Sequence, residues 1–395
     1  MFFAISLLFF SNNEGLVDIE KTAIIKAVGI DYIDNEYVAT AQIAVPEAND
    51  TNTENNKTEI TAIGSTIGNA IKKVGDVSGW YPQLAFCNLI VLGQSTLQLN
   101  VIKIIDYFSK TLRVQDSALI VVAQDKASDL LKKSTPLDNV CSIALQKKLL
   151  KNPGFDQDVA TNDIKTFCSG YYSRTGASFI PLVKILKADS DTQSQEQSKN
   201  SNAFQQNQSS QQQDSNNSQS KCLFDTDTTL LFKDGKVVGE LTKEQTKTFN
   251  ALTKKFEATT ISVNNVQPDV TVTPHNYLVT IMRCTPKIKL KADENNLNLQ
   301  ISLNLYCKIA DQDAEYSDAT YTKNTPMPQA VIDKTKTLFT TWLEELVQTT
   351  IQTQCDFLKI KDYLYKYNHK HYARYKDNYL DVMKTDIKVT VSGQK

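Results

Sequence analysis

From Ala188 to Lys221 the chain reads ADSDTQSQEQSKNSNAFQQNQSSQQQDSNNSQSK, with Gln, Ser, Asn and Asp in place of nearly every apolar residue. Such a segment cannot bury enough surface to offset the entropy of ordering it. The composition therefore predicts a disordered linker at residues 188–221 that divides the chain in two. Coil of this length reaches on the order of 30 Å end to end. Interleaved Tyr and Phe, which would point to β-aggregation, are absent apart from Phe204.

The 395 residues, 41% hydrophobic, suffice for two or three domains with at least one sizeable core. Lys and Arg number 43 against 44 Asp and Glu, a net charge of −1. That balance argues against nucleic acid as a partner, because neutralising a phosphate backbone takes a cationic surface. The opening MFFAISLLFF is apolar or small from Phe2 to Phe10 and then turns polar from Ser11. A bilayer-spanning helix needs roughly 20 apolar residues, so this run is too short to span. It has the length of the middle of a secretory signal but lacks the Lys or Arg that precedes one. Residues 1–15 are expected to be the remnant of an export signal, and no later stretch reaches spanning length. The seven cysteines, Cys87, Cys141, Cys168, Cys222, Cys284, Cys307 and Cys355, include no C-x-x-C pair, and most stand in apolar runs. They read as small buried hydrophobes rather than metal ligands.

Residues 16–187 read as an α/β domain. NEYVATAQIAV alternates through Tyr37, Ala39, Ala41, Ile43 and Val45, the mark of a strand with one covered face. STIGNAIKKV predicts a helix capped by Ser65 or Thr66. NLIVLG, then LQLNVIKIIDYF, then ALIVVA predict a βαβ unit with parallel strands covered on both faces, and KASDLLKK starts a further helix. The turn after the first of these strands, GQST, holds one glycine, Gly93, too few to cradle a dinucleotide. GSTIG at residues 64–68 lacks the Gly-Lys-Ser/Thr of a phosphate loop.

Residues 222–274 read as a small hairpin-and-helix region. TTLLFKDGKVVGELT is a hairpin with Asp234-Gly235 in a type I′ turn, followed by a helix with Thr242 at its cap. Residues 275–395 read as a C-terminal α+β domain. In NLNLQISLNLYCKIA the apolar residues Leu297 to Ile309 strictly alternate with polar ones, a half-exposed antiparallel strand partnered by YLVTIMRCTPKIKLKA. Pairing Leu290 with Leu297 sets Cys284 opposite Leu303, which disfavours a disulfide to Cys307. Val331, Leu338, Trp342, Leu346 and Ile351 recur at helical spacing, a long amphipathic helix across the sheet, and DIKVTVSG is a last strand. The fold class is α+β: multidomain, mixed sheets with packed helices, and a C-terminal antiparallel sheet covered by that helix.

No catalytic constellation can be assembled. His275 stands alone, and His369 and His371 lie two apart in NHKHY. On a helix such residues point about 200° from each other and cannot share a metal, although on a strand they could. Solvated helix surface is the simpler reading. G-x-S-x-G and H-E-x-x-H are both absent, so no catalytic, metal or cofactor-binding residue is assigned and an enzyme is not expected. The Tyr- and Lys-rich stretch at residues 359–376 suits either a membrane surface or partner, or a cover for the sheet.

The order and spacing of GNAIKK, LAFCNLIVLGQSTLQLNVIKIIDYFSKTLRVQDSALIVVAQDKASDLL, FIPLVKI, DTTLLFKDGKVVGELTKEQT and QTQCDFLKIKDYL resemble the Ger(x)C family, the C subunits of spore germinant receptors. The resemblance runs from about Leu16 to the C-terminus. It implies a non-enzymatic lipoprotein outside the cytoplasm, on the outer face of the inner spore membrane. There it would act with membrane-embedded A- and B-type receptor subunits in nutrient-triggered germination. The family's lipidated Cys is replaced here by Asn12 or Asn13, whose amide cannot form the thioether, so no lipidation residue is assigned. The alternative is an exported ligand- or surface-binding module unrelated to germination.

Overall fold

The computed structural model describes residues 22–44, 59–111, 114–150, 158–187, 221–253, 258–267, 274–313 and 326–393. The apolar run at residues 2–10, Asn12, Asn13 and residues 188–220 lie outside them.

The chain enters through β1 (Thr22–Ile33) and turns at Asp34 and Asn35, both at positive φ, into β2 (Glu36–Ile43). β3 (Glu59–Gly64) pairs with β2. Helix α1 (Ile67–Ser78) follows, and of the two predicted caps it uses Thr66, whose Oγ1 accepts the Asn69 N–H at 3.1 Å. A short β4 (Tyr81–Gln83) lies parallel to the first residues of β1. β5 (Leu89–Leu92), α2 (Ile102–Thr111) and β6 (Leu119–Ala123) form the βαβ unit, with parallel, fully buried strands as the continuous apolar runs require. Then come α3 (Ala127–Leu131), α4 (Cys141–Leu149), α5 (Ile164–Tyr171) and β7 (Ala177–Lys187).

Lys187 at the end of β7 pairs with Cys222 at the start of β8 (Cys222–Lys233), and the two strands run antiparallel. Residues 188–221 therefore connect adjacent strands of one sheet. β9 (Lys236–Leu241) completes the predicted hairpin through Asp234 and Gly235, at φ 49° and 78°, the double positive φ of a type I′ turn. The sheet order is β3-β2-β1-β5-β6-β7-β8-β9, with β4 beside β1.

Helices cover both faces of this sheet. Val74 of α1, Phe108 of α2 and Phe167 of α5 pack with Ile30, Ile90 and Phe232 on one side. On the other, Leu131 of α3 and Leu145 of α4 pack with Leu89, Val121 and Phe224. The expectation that β2 has a single covered face is corrected here: Val38 to Gln42 are all buried, because helices lie on both sides.

Helix α6 (Lys243–Leu252) starts with a reciprocal capping box between Thr242 and Gln245. It leads to β10 (Thr259–Val266), β11 (His275–Ala292) and β12 (Leu297–Gln312). The long α7 (Gln329–Gln352), α8 (Ile360–Tyr367), α9 (His369–Tyr375) and α10 (Tyr379–Val382) then precede β13 (Met383–Gly393). The second sheet runs β10-β11-β12-β13. It is mixed rather than purely antiparallel: β13 lies parallel to β12, since the helices between them carry the chain back to its starting end.

Two further expectations are corrected. Ala292 pairs with Leu297, so Cys284 faces Leu305, not Leu303, and Cys307 faces Ile281. The cause is the loop at Asp293 to Asn296, closed by the Asp293 N–H to Asn296 carbonyl bond and by the Asp293 carboxylate accepting from the N–H groups of Asn295 and Asn296. Both cysteines remain thiols. The buried stripe of α7 is Val331, Phe339, Leu343, Leu346 and Val347, while Leu338, Trp342 and Ile351 flank it half-buried. The helix is rotated because α6 as well as the sheet packs against it.

Deleting Asp191 to Gln219 leaves five residues between β7 and β8, enough for a hairpin loop. Shortening the connection from 34 residues lowers its closure cost, so the deletion is expected to keep the fold and raise stability by about 1–2 kcal/mol in denaturant titrations. A loss of more than about 1 kcal/mol would show that the segment packs on the folded body.

Candidate functional site

Two helical surfaces join the first sheet to the second. Lys243, Lys247 and Asn250 recur at i, i+4 and i+7 on α6 and so share one face. Lys243 Nζ lies 2.9 Å from Asp227 and 3.2 Å from Asp158, and Lys247 Nζ lies 3.1 Å from Asp158. Burial opposes charge on Lys243, but the two carboxylates outweigh it and hold the ammonium above the usual lysine range. Asn250 Nδ2 donates to the Val159 carbonyl at 3.0 Å. Removing one partner here would strand a buried charge, which makes this network a positional lock rather than a reactive site.

The second junction is an open cleft of about 730 Å³ between the turn after α5 and helix α8. The Arg174 guanidinium stands 3.6 Å above the centre of the Tyr365 ring, with Asp362 Oδ1 3.8 Å from its Nη1. Tyr365 meets His369 and Tyr372 edge to face at 5.0 and 5.1 Å. Across the cleft, Tyr172 donates to Asp106 Oδ2 at 2.8 Å, an oxygen shared with Lys110. Arginine and lysine beside aspartate can hold a small polar or zwitterionic group, but none of these side chains is an activated nucleophile.

Helix α8 owes its position to Asp356. This carboxylate is buried and accepts the N–H groups of Ile360 and Lys361 at 2.8 Å and the Tyr379 hydroxyl at 2.9 Å. Burial outweighs these hydrogen bonds and pushes its pKa up to about 6. Asp31 serves α3 in the same way, accepting the N–H groups of Ala127 and Ser128 at 2.8 and 3.0 Å. Gly93 is the residue against which Asp31 fits: a Cβ there would sit 1.8 Å from Asp31 Oδ1. The lone glycine of GQST thus serves packing.

The three histidines are not brought together to bind a ligand. His275 opens β11, 3.6 Å from Asp313, while His369 and His371 lie on α9. Among the described residues no three of His, Cys, Asp and Glu are grouped so as to hold a metal ion. Burial pushes the thiols of Cys87, Cys284, Cys307 and Cys355 up to about 12, and that of Cys168 to about 11, so none is a ready thiolate. In the Tyr- and Lys-rich stretch, Ile360, Leu364 and Tyr375 are buried in the core under the second sheet, while Tyr367 is exposed. Sequence reading missed Arg174, Asp362 and Tyr365, because nothing in the sequence links a turn at residue 174 to a helix nearly two hundred residues later.

Residues 16–185 match the family model described as the spore germination protein N-terminal domain. Residues 227–394 match that of the spore germination B3/GerAC-like C-terminal domain. No curated protein matches the chain. The crystal structure of the GerBC protein superposes with a TM-score of 0.54 at 14% identity, covering 96% of this chain and 100% of that one. At that identity the likeness concerns the fold.

A double-mutant cycle between Arg174→Ala and Tyr365→Leu is expected to give a coupling of about 1 kcal/mol in denaturant titrations. Coupling near zero would mean that the stacked pair does not help to fix the seam. Asp356 sets a pH dependence. Its folded pKa lies above the unfolded value, so the stability it contributes is present below about pH 4 and is lost as pH rises towards about 6. Wild-type stability minus that of Asp356→Asn should fall across this window by up to about 3 kcal/mol, and a flat difference would contradict the assignment.

Proposed function

Because this chain belongs to the spore germination protein family with GerAC-like C-terminal domains, we propose that it is the C subunit of a germinant receptor. In this reading it is a non-enzymatic binding and scaffolding subunit. It stands outside the cytoplasm on the outer face of the inner spore membrane and acts with membrane-embedded A- and B-type subunits when nutrients trigger germination. The observation that carries the reading is the pair of family matches in order along one chain, on either side of the Gln/Ser/Asn-rich segment. Three features support it. No helix among the described residues is long and apolar enough to cross a membrane, so the spanning parts of such a receptor would fall to the partners. The described thiols are buried or half-buried with their pKa raised by burial, and the cleft beside Arg174 offers polar contacts without a nucleophile.

The test is affinity purification of a tagged chain from detergent-extracted spores. Recovery with the multi-span receptor subunits, together with slowed nutrient germination of the deletion strain, is the expected result. A chain recovered alone, with germination unaffected, would favour an independent exported binding module.

A further inference from the structure

One end of the first sheet carries large side chains that are exposed among the described residues. Helix α1 finishes there with Val77, 73% exposed, followed by Trp80 at 49% and Tyr81 at 53%. Five residues beyond Tyr81 comes Phe86, 54% exposed, with Lys26 Nζ 5.9 Å from its ring centre. Single exposed apolar residues are ordinary, but these four fall within ten residues of sequence, and Tyr81 and Phe86 stand beside Thr22 and Lys26 near the start of β1. Thr22 pairs with Tyr81 and Ile24 with Gln83, which places the patch where the described chain begins. A shallow, largely apolar groove of about 560 Å³ runs beside it, lined by Ile71, Trp80, Pro82 and Leu84, with Lys72 and Asp76 as its charged members.

We propose that this end of the molecule rests on the lipid–water interface, with Trp80, Tyr81 and Phe86 set at headgroup depth. Two arguments select lipid as the occupant. The first is reach: eleven residues separate Phe10, the last of the apolar run, from Thr22. Even fully extended they span only about 40 Å, so wherever residues 2–10 enter a bilayer the patch is held close to its surface. The second is chemistry: aromatic side chains with apolar bodies and polar tips, flanked by lysines with long stems, suit a boundary that is apolar on one side and wet on the other. A short apolar run alone gives weak, reversible attachment, and a second contact on the same face makes the attachment firm.

The inference rests on the membrane location proposed above, and the experiment separates the two. The chain has two tryptophans, so Trp342→Phe leaves Trp80 as the single reporter. The full-length variant is mixed with vesicles of phosphatidylethanolamine and phosphatidylglycerol whose acyl chains are brominated, and co-sedimentation and Trp80 emission are followed together. Co-sedimentation with more than half of the Trp80 emission quenched is expected. A roughly tenfold weaker partition should follow for Trp80→Ala with Tyr81→Ala, and for Phe86→Ser in a background that leaves Trp80 intact. Co-sedimentation with Trp80 unquenched would overturn the patch as the contact while leaving membrane attachment standing. Trp80 emission already blue-shifted without lipid and unchanged by it would show that another part of the chain covers the patch, and overturns the proposal. A failure to co-sediment overturns both the contact and the attachment.

Discussion

The antiparallel pairing of β7 with β8 is the contact on which the rest of the architecture depends. It extends the N-terminal sheet with a hairpin that the chain supplies only after the Gln/Ser/Asn-rich segment. Successive residues of β8 then point to opposite faces. Phe232 completes the core under α2 and α5, whereas Leu231 enters the core that runs on beneath the second sheet. With Phe224 in the core under α3 and α4, one strand thus serves three cores, and α6, α7 and β10 to β13 are positioned from it. Because closure entropy grows only logarithmically with loop length, a connection of 34 residues costs only about 1–2 kcal/mol more than a five-residue one, and the pairing tolerates it.

Polar side chains then fix the bodies against each other. Asp31 and Asp356 each satisfy two N–H groups at a helix start from a buried position: Asp31 pins α3 to β1, and Asp356 caps α8 from the preceding loop and ties it to Tyr379. Asp158 holds two lysines of α6, and Arg174 stacks on Tyr365 of α8. These contacts specify geometry more than they add stability, since the ion pairs at the seam must offset their own desolvation.

Much of the fold was legible in the sequence where local chemistry decides. The positive-φ turn at Asp234-Gly235, the capping box at Thr242, the βαβ unit and the alternation from Leu297 to Ile309 all follow from short stretches. What escaped depends on distant partners. The β11–β12 register rests on how the Asp293 carboxylate closes its loop, the burial of β2 on helices from two different stretches, and the rotation of α7 on α6. The pairing of β7 with β8 leaves no local trace across the low-complexity segment. The cleft at Arg174 is likewise assembled from residues far apart, and only the ordered resemblance to a known family pointed to a function at all.

The most direct test of a shared, continuous body is fragment complementation between residues 1–190 and 220–395. Each fragment lacks a wall of its own core: the first has no Phe232, the second no β7. Expressed apart, each should lack a cooperative unfolding transition; expressed together, they should co-purify and unfold in a single transition close to that of the intact chain. Two fragments that fold independently and do not associate would contradict the account.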